Sequence, residues 1–200
     1  MRVKYPKAAV LLLSGLVACS TPSTVYHTLS ASAAGVKPAL DVSQRLASLG
    51  VGPVTLPTLL DREGMVLRQN ATSVKVSDQH LWGGQLEDEF LRALSQQLAL
   101  RLPSTRVQTI PWELTQTPRY QLVIKVQQFD GILGKTARLE GLWQLQNANN
   151  SQIIVAQPFT RERSVQGKTV EAMVLAQSLL VSDLADQIIN SIRVGGFFQS

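Results

Sequence analysis

A two-layer α+β sandwich, its sheet mainly antiparallel and two long amphipathic helices laid on one face, is the fold this sequence predicts. Three observations carry it. Leu86, Phe90, Leu94 and Leu98 recur every four residues; Val170, Met173, Val174, Leu180, Val181, Leu184, Ile188 and Ile192 form a second apolar stripe; residues 120–129 and 137–145 alternate apolar with polar. The first two patterns have the period of a helix face, the third that of a strand with one dry side. Two hundred residues with 44% hydrophobic and 16% charged side chains suit one folded domain.

The chain opens with a basic segment carrying Arg2, Lys4 and Lys7, followed by the apolar stretch Ala8 to Ala18. About 11 residues is roughly half of what a spanning helix needs, so residues 1–18 read as a lipoprotein signal peptide. No later stretch reads as long enough to span. Leu16-Val17-Ala18-Cys19 has the layout of a bacterial lipobox, with small Ala18 before the cut and the single cysteine as first mature residue. The expected modification is therefore covalent, an S-diacylglycerol and an N-acyl chain on Cys19, with no other cofactor and no intrachain disulfide.

Ser20, where an Asp would retain such a protein in the inner membrane, points to the outer membrane. Residues 19–25 then form the lipidated cysteine and its tether, and Ser20 to Thr24 span at most about 18 Å. A single domain over 26–194 is held close to the bilayer, with 195–200 as a tail whose Phe197-Phe198 either docks on the body or meets a partner. Losing the leader removes three cations from a formal charge of +5, leaving +2 and no basic run. Nucleic acid is not an expected partner.

Within the domain, Tyr26 to Leu29 reads as a first strand and Ser30 to Pro38 as a loop. Arg45 to Val54 reads as a second strand, with Pro57 setting the next turn. Met65 to Arg68 and Ser73 to Val76 can pair around Asn70. A helix over Gly84 to Leu102 has Glu87, Asp88 and Glu89 in its first turn and Arg101 in its last, complementing the helix dipole, and ends at Pro103. Tyr120 to Phe129, Ala137 to Leu145 and Ile153 to Phe159 form an antiparallel meander whose second turn is Asn147 to Ser151. The last helix runs from Thr169 to Arg193, with Glu171 in its first turn and Gly195-Gly196 beyond its end.

Catalytic machinery is not expected. Gly131 to Thr136 has the tail of a phosphate loop, but Phe129 stands where the motif needs glycine and strands flank it on both sides, which makes it a hairpin turn. His27 and His80 are the only histidines, and no spacing motif completes a metal site around either. His80 is expected to pack or hydrogen-bond near Trp82. There is no nucleophile elbow. Asp61, Glu63 and Glu87 to Glu89 read as turn and helix-start charges.

Several segments taken together carry a resemblance: Val51-Gly52-Pro53-Val54-Thr55-Leu56-Pro57, Leu60-Asp61-Arg62, Met65-Val66-Leu67-Arg68, Leu81 to Leu86, Pro111-Trp112, Tyr120 to Phe129, and Leu139 to Leu145 around Trp143. In order and spacing they resemble the ABC-type transport auxiliary lipoprotein family. Members often show an Arg-Trp and a Glu-Pro pair before the helix, whereas this chain has His80-Leu81-Trp82 and Gly84-Gln85. The resemblance implies a non-catalytic outer-membrane lipoprotein facing the periplasm. Its implied partners are a PqiB-like MCE-domain protein bridging the envelope and a PqiA-like inner-membrane protein, and a ring-like homo-oligomer would match a tubular partner.

On this reading Pro53, Pro57, Asp61, Arg62 and Trp82 form a docking surface, since prolines stiffen the 53–62 loop in advance of contact; the same loop also reads as a structural turn packed on the sheet. The alternative is a carrier that holds an acyl chain between sheet and helices. That alternative requires apolar surface around Trp143, Leu145 and Phe159 in excess of what packing consumes.

Overall fold

The computed structural model describes residues 23–112 and 116–195. Cys19 and Phe197-Phe198 lie outside them. The α+β class is as expected, but the strands divide between two mixed sheets. In chain order the elements are β1 (Val25–His27), α1 (Leu40–Arg45), β2 (Ser48–Thr55), β3 (Gly64–Arg68), β4 (Val74–Trp82), α2 (Leu86–Arg101), β5 (Arg106–Thr109), β6 (Tyr120–Gly131), β7 (Thr136–Asn147), β8 (Ile153–Ser164) and α3 (Val170–Gly195).

The larger sheet has the order β5-β2-β6-β7-β8 and the smaller β1-β4-β3. The meander β6-β7-β8 is antiparallel throughout, with Ile124 opposite Trp143 and Gly141 opposite Phe159. By contrast, β2 runs parallel to both β5 and β6, and β1 parallel to β4. The expectation of a mainly antiparallel sheet is thus met in the meander and not at β2 or β1. Parallel neighbours need a crossover, and α2 with β5 lies within the connection that returns the chain from β4 to β6.

Alternation places Ala137, Leu139, Gly141, Trp143 and Leu145 of β7 inward and Arg138, Glu140, Leu142, Gln144 and Gln146 outward. Both long helices cover the inward face and touch each other. Phe90 of α2 meets Phe129 of β6 edge to face, ring centroids 5.4 Å apart, an arrangement the ring quadrupoles favour. Glycine is required at several positions, Gly141 and Gly134 among them. At Gly141 a Cβ would strike the Lys125 carbonyl and the Phe159 ring. Gly134, at φ +70°, turns the β6–β7 hairpin, where Lys135 N–H donates to Ile132 O. The phosphate-loop lookalike is that hairpin.

The last helix corrects one expectation. α3, with 26 residues, is long and apolar enough to cross a bilayer, yet Met173, Leu180, Val181, Leu184, Ala185 and Ile188 are wholly buried against the sheet and α2. It is a core helix. Two elements have no counterpart in the sequence reading: α1, six residues long, and β5, four residues long. Neither is long enough to show a period.

Arg101 stands in the last turn of α2 as expected, and the structure adds that it is only 2% exposed. Its Nε and Nη2 donate to the two Asp186 oxygens at 2.7 Å, Nη2 also to Ser182 Oγ at 2.9 Å, and Nη1 to Gln97 O at 3.0 Å and to Gln97 Oε1. Every guanidinium proton is used, so the fork rivets the end of α2 to the middle of α3.

Candidate functional site

The 53–62 segment, expected to be a loop from Pro53, begins in β2, which holds residues 53–55, and continues as the link to β3; that link has a rigid frame. Leu60 N–H donates to Pro57 O at 2.8 Å, Arg62 N–H to Leu60 O at 2.9 Å, and Trp82 N–H to Glu63 O at 2.8 Å. Leu60, 3% exposed, plugs the loop into the core. That plug turns Leu59, Asp61 and Arg62 outward, while Pro53 and Pro57 are half-buried. Trp82 must be removed from the expected docking set: it is 4% exposed, because its position at the end of β4 directs the indole into the core.

Beside the loop lies a cleft of about 120 Å3 lined by Pro57, Leu59, Leu60, Arg68, Gln127, Gln128 and Asp130. Its floor is an ion pair between the two sheets. Arg68 of β3 donates through Nε to Asp130 Oδ1 at 3.0 Å and through Nη2 to Oδ2 at 2.7 Å, and Gln128 Nε2 adds a bond of 2.7 Å to Oδ1. A bulge in β6 between Val126 and Gln128 brings that glutamine into place. The Asp130 hydrogen bond raises Arg68 above its ordinary value, so the cation is permanent. Neither Arg68 nor Asp130 was expected at the site; periodicity reads them as strand-end charges.

A ligand pocket for a drug-sized molecule runs to about 300–1,000 Å3, so this cleft admits one side chain of a partner and not an acyl chain. Broader depressions of about 490 and 500 Å3 flank the outer side of α2, one including Gln96, Gln108, Thr109 and Trp112, the other Ala31, Ala99 and Leu100. They are open to solvent. The sheet–helix interior offers no surplus: Trp143, Leu145 and Phe159 are 0%, 0% and 2% exposed. The apolar surface an acyl carrier needs is consumed by packing.

A second cluster sits at the opposite edge of the small sheet. The register Val25 to His80 and His27 to Trp82 of the parallel β1–β4 pair brings the two histidines together, with His27 Nε2 and His80 Nδ1 2.9 Å apart and ring centroids at 5.2 Å. Glu171, in the first turn of α3, completes a group whose ligand atoms lie within 4.8 Å of one another. Burial, then His80, lowers the His27 value, with Glu171 opposing, which keeps the imidazole neutral. The Glu171 carboxylate is held below its ordinary value by its own backbone N–H first, then Thr169 and the two histidines. His80 was expected beside Trp82; its partner is instead His27, and among the described residues these three are a group that could hold a metal.

The described residues form a well-packed α+β body with a polar loop between β2 and β3. The chain belongs to the ABC-type transport auxiliary lipoprotein family, whose model matches residues 27–189. The fold is shared with solved structures of low sequence identity. Protein XCC0632 from Xanthomonas campestris is 14% identical with a TM-score of 0.69, over 86% of this chain and 96% of that one. A crystal structure of an uncharacterized protein is 20% identical with a TM-score of 0.70, over 85% of this chain and 99% of that one. No curated protein matches the chain in sequence.

Proposed function

We propose that this protein is the non-catalytic, lipid-anchored outer-membrane subunit of an MCE-type intermembrane transport system, the counterpart of PqiC. In this role it receives the end of a PqiB-like periplasm-spanning protein, with a PqiA-like protein in the inner membrane. The acyl chains on Cys19 supply position and the domain supplies a surface. Several acyl chains on one cysteine exceed the single-chain regime in which anchoring is marginal. The observation that favours docking over carrying is the sealed interior at Trp143, Leu145 and Phe159, set against a preordered loop that offers Leu59, Asp61 and Arg62 to solvent.

Photo-crosslinkers placed at Asp61 and Arg62 in intact envelopes test it. The expected adduct is with the MCE-domain partner. Adducts with lipid alone, or native mass spectra showing one acyl chain retained per domain, would transfer the role to a carrier. Cys19→Ala is expected to leave the domain folded and able to bind the partner in solution while abolishing complementation of envelope defects; full complementation would remove the anchor from the account.

A further inference from the structure

The chain has two histidines in 200 residues, and folding brings them, 53 positions apart, within hydrogen-bonding distance. We propose that His27, His80 and Glu171 form a zinc site that clasps the N-terminal strand to the first turn of α3. Two imidazoles and one carboxylate are a ligand set that Zn2+ accepts, with the fourth position left to solvent.

The geometry supports the assignment from each side. His27 is 7% exposed, on a strand whose pairing with β4 is parallel and in register, so its ring is held. His80 is placed by its own backbone, whose N–H donates to Ser77 Oγ at 2.9 Å. Glu171 is exposed, and its carboxylate can exchange its bonds to its own backbone N–H and to Thr169 for the ion. Ligand atoms about 2.1 Å from a tetrahedral ion lie about 3.4 Å from one another. The two ring nitrogens therefore open by about half an ångström and the carboxylate closes in. In the metal-free pair one imidazole donates the shared proton. On binding, that ring carries its proton on the other nitrogen, both facing lone pairs turn to the metal, and no net proton is released from neutral rings.

A clasp here has a structural consequence. β1 is three residues long and among the described residues pairs with β4 alone, so the ion joins this N-terminal strand to a helix that forms the core. The fourth position keeps the ion exchangeable.

The test uses the full chain extracted from envelopes in detergent, without a histidine tag, stripped by chelator and titrated with ZnCl2 by calorimetry. The expected result is about one Zn2+ per chain, a higher Tm with zinc, and a tetrahedral Co2+ absorption spectrum. His80→Ala and Glu171→Gln are each expected to weaken binding about tenfold or more and to remove the zinc-dependent rise in Tm. Glu171→Gln changes only an exposed side chain and keeps the test valid if His80→Ala fails to fold. Absence of binding by the wild-type chain overturns the proposal, leaving the histidine pair as a hydrogen bond only, and so does binding that both variants retain.

Discussion

The two sheets differ in what holds them. The larger has three strands of 12 residues each, a dry face filled by α2 and α3, and side chains such as Trp143, Leu139 and Leu184 with no exposure. The smaller has strands of three, nine and five residues, of which β4 is exposed or half-buried along most of its length. It is tied to the rest by the Arg68–Asp130 ion pair and by Met65, Val66 and Trp82 in the shared core, while Glu63 O with Trp82 N–H and the His27–His80 pair join its own strands. Burial of apolar area stabilises both, but along the short and largely exposed strands of the second a greater share falls to directional bonds that one substitution removes. The candidate docking loop and the histidine cluster both lie on this small, polar-stapled part. A rigid body carrying a locally adjustable edge is a suitable division for a docking protein.

The strongest break in this contrast is Arg101→Ala. It opens the α2–α3 rivet and removes the donor shared by Gln97 O, Gln97 Oε1 and Ser182 Oγ, while Asp186, 55% exposed at its side chain, returns to water; the expected cost is about 2–4 kcal/mol in urea unfolding. Arg68→Ala comes next. Asp130 is 2% exposed at its side chain while Arg68 is 24% exposed, so the expected cost is about 2–3 kcal/mol. Amide exchange should speed up in β3 and β4 well before β6, β7 and β8; uniform acceleration would mean that the two sheets are one cooperative unit.

Asp61→Ala with Arg62→Ala sharpens the contrast from the functional side. Both side chains are exposed, so unfolding free energy should move by about 0.5 kcal/mol or less while crosslinking to the MCE-domain partner falls. A stability loss as large as that of Arg68→Ala would make the loop a structural turn.

The smallest effect is expected at the far end of the body, where Arg193 Nε donates to Asp41 Oδ2 at 2.9 Å and ties α1 to α3. That hydrogen bond foremost, with the cation's charge, lowers the Asp41 carboxyl from its ordinary value of 3.8. A lowered carboxyl contributes stability that is full above 3.8 and lost as pH falls through the folded value. Asp41→Asn should therefore lower the neutral-pH Tm slightly and flatten its decline as pH falls below about 4.

Much of the larger sheet is legible in the chain because its patterns are local. Leu122, Ile124 and Val126 sit every second residue, and Leu86, Phe90, Leu94 and Leu98 every fourth, so each segment states its own conformation and its own dry face. The docking loop is half legible: Pro57 marks the turn, but only the burial of Leu60 decides that Leu59, Asp61 and Arg62 face outward. Trp82 shows the opposite failure, since an aromatic residue near a loop reads as a contact until the strand's register turns it inward.

Taken alone, the sequence determined the α+β class, the meander, both long helices, the Gly131 to Thr136 hairpin and the family, all of which rest on neighbours within a few positions or on ordered short motifs. The tertiary structure decided that β2 and β1 pair in parallel, that Arg101 is buried, that Asp130 takes Arg68 as its partner, and that His27, His80 and Glu171 converge. Each of those is a choice of partner across 50 or more residues. The free energy behind such a choice comes from the burial and register of whole elements, which no local period encodes.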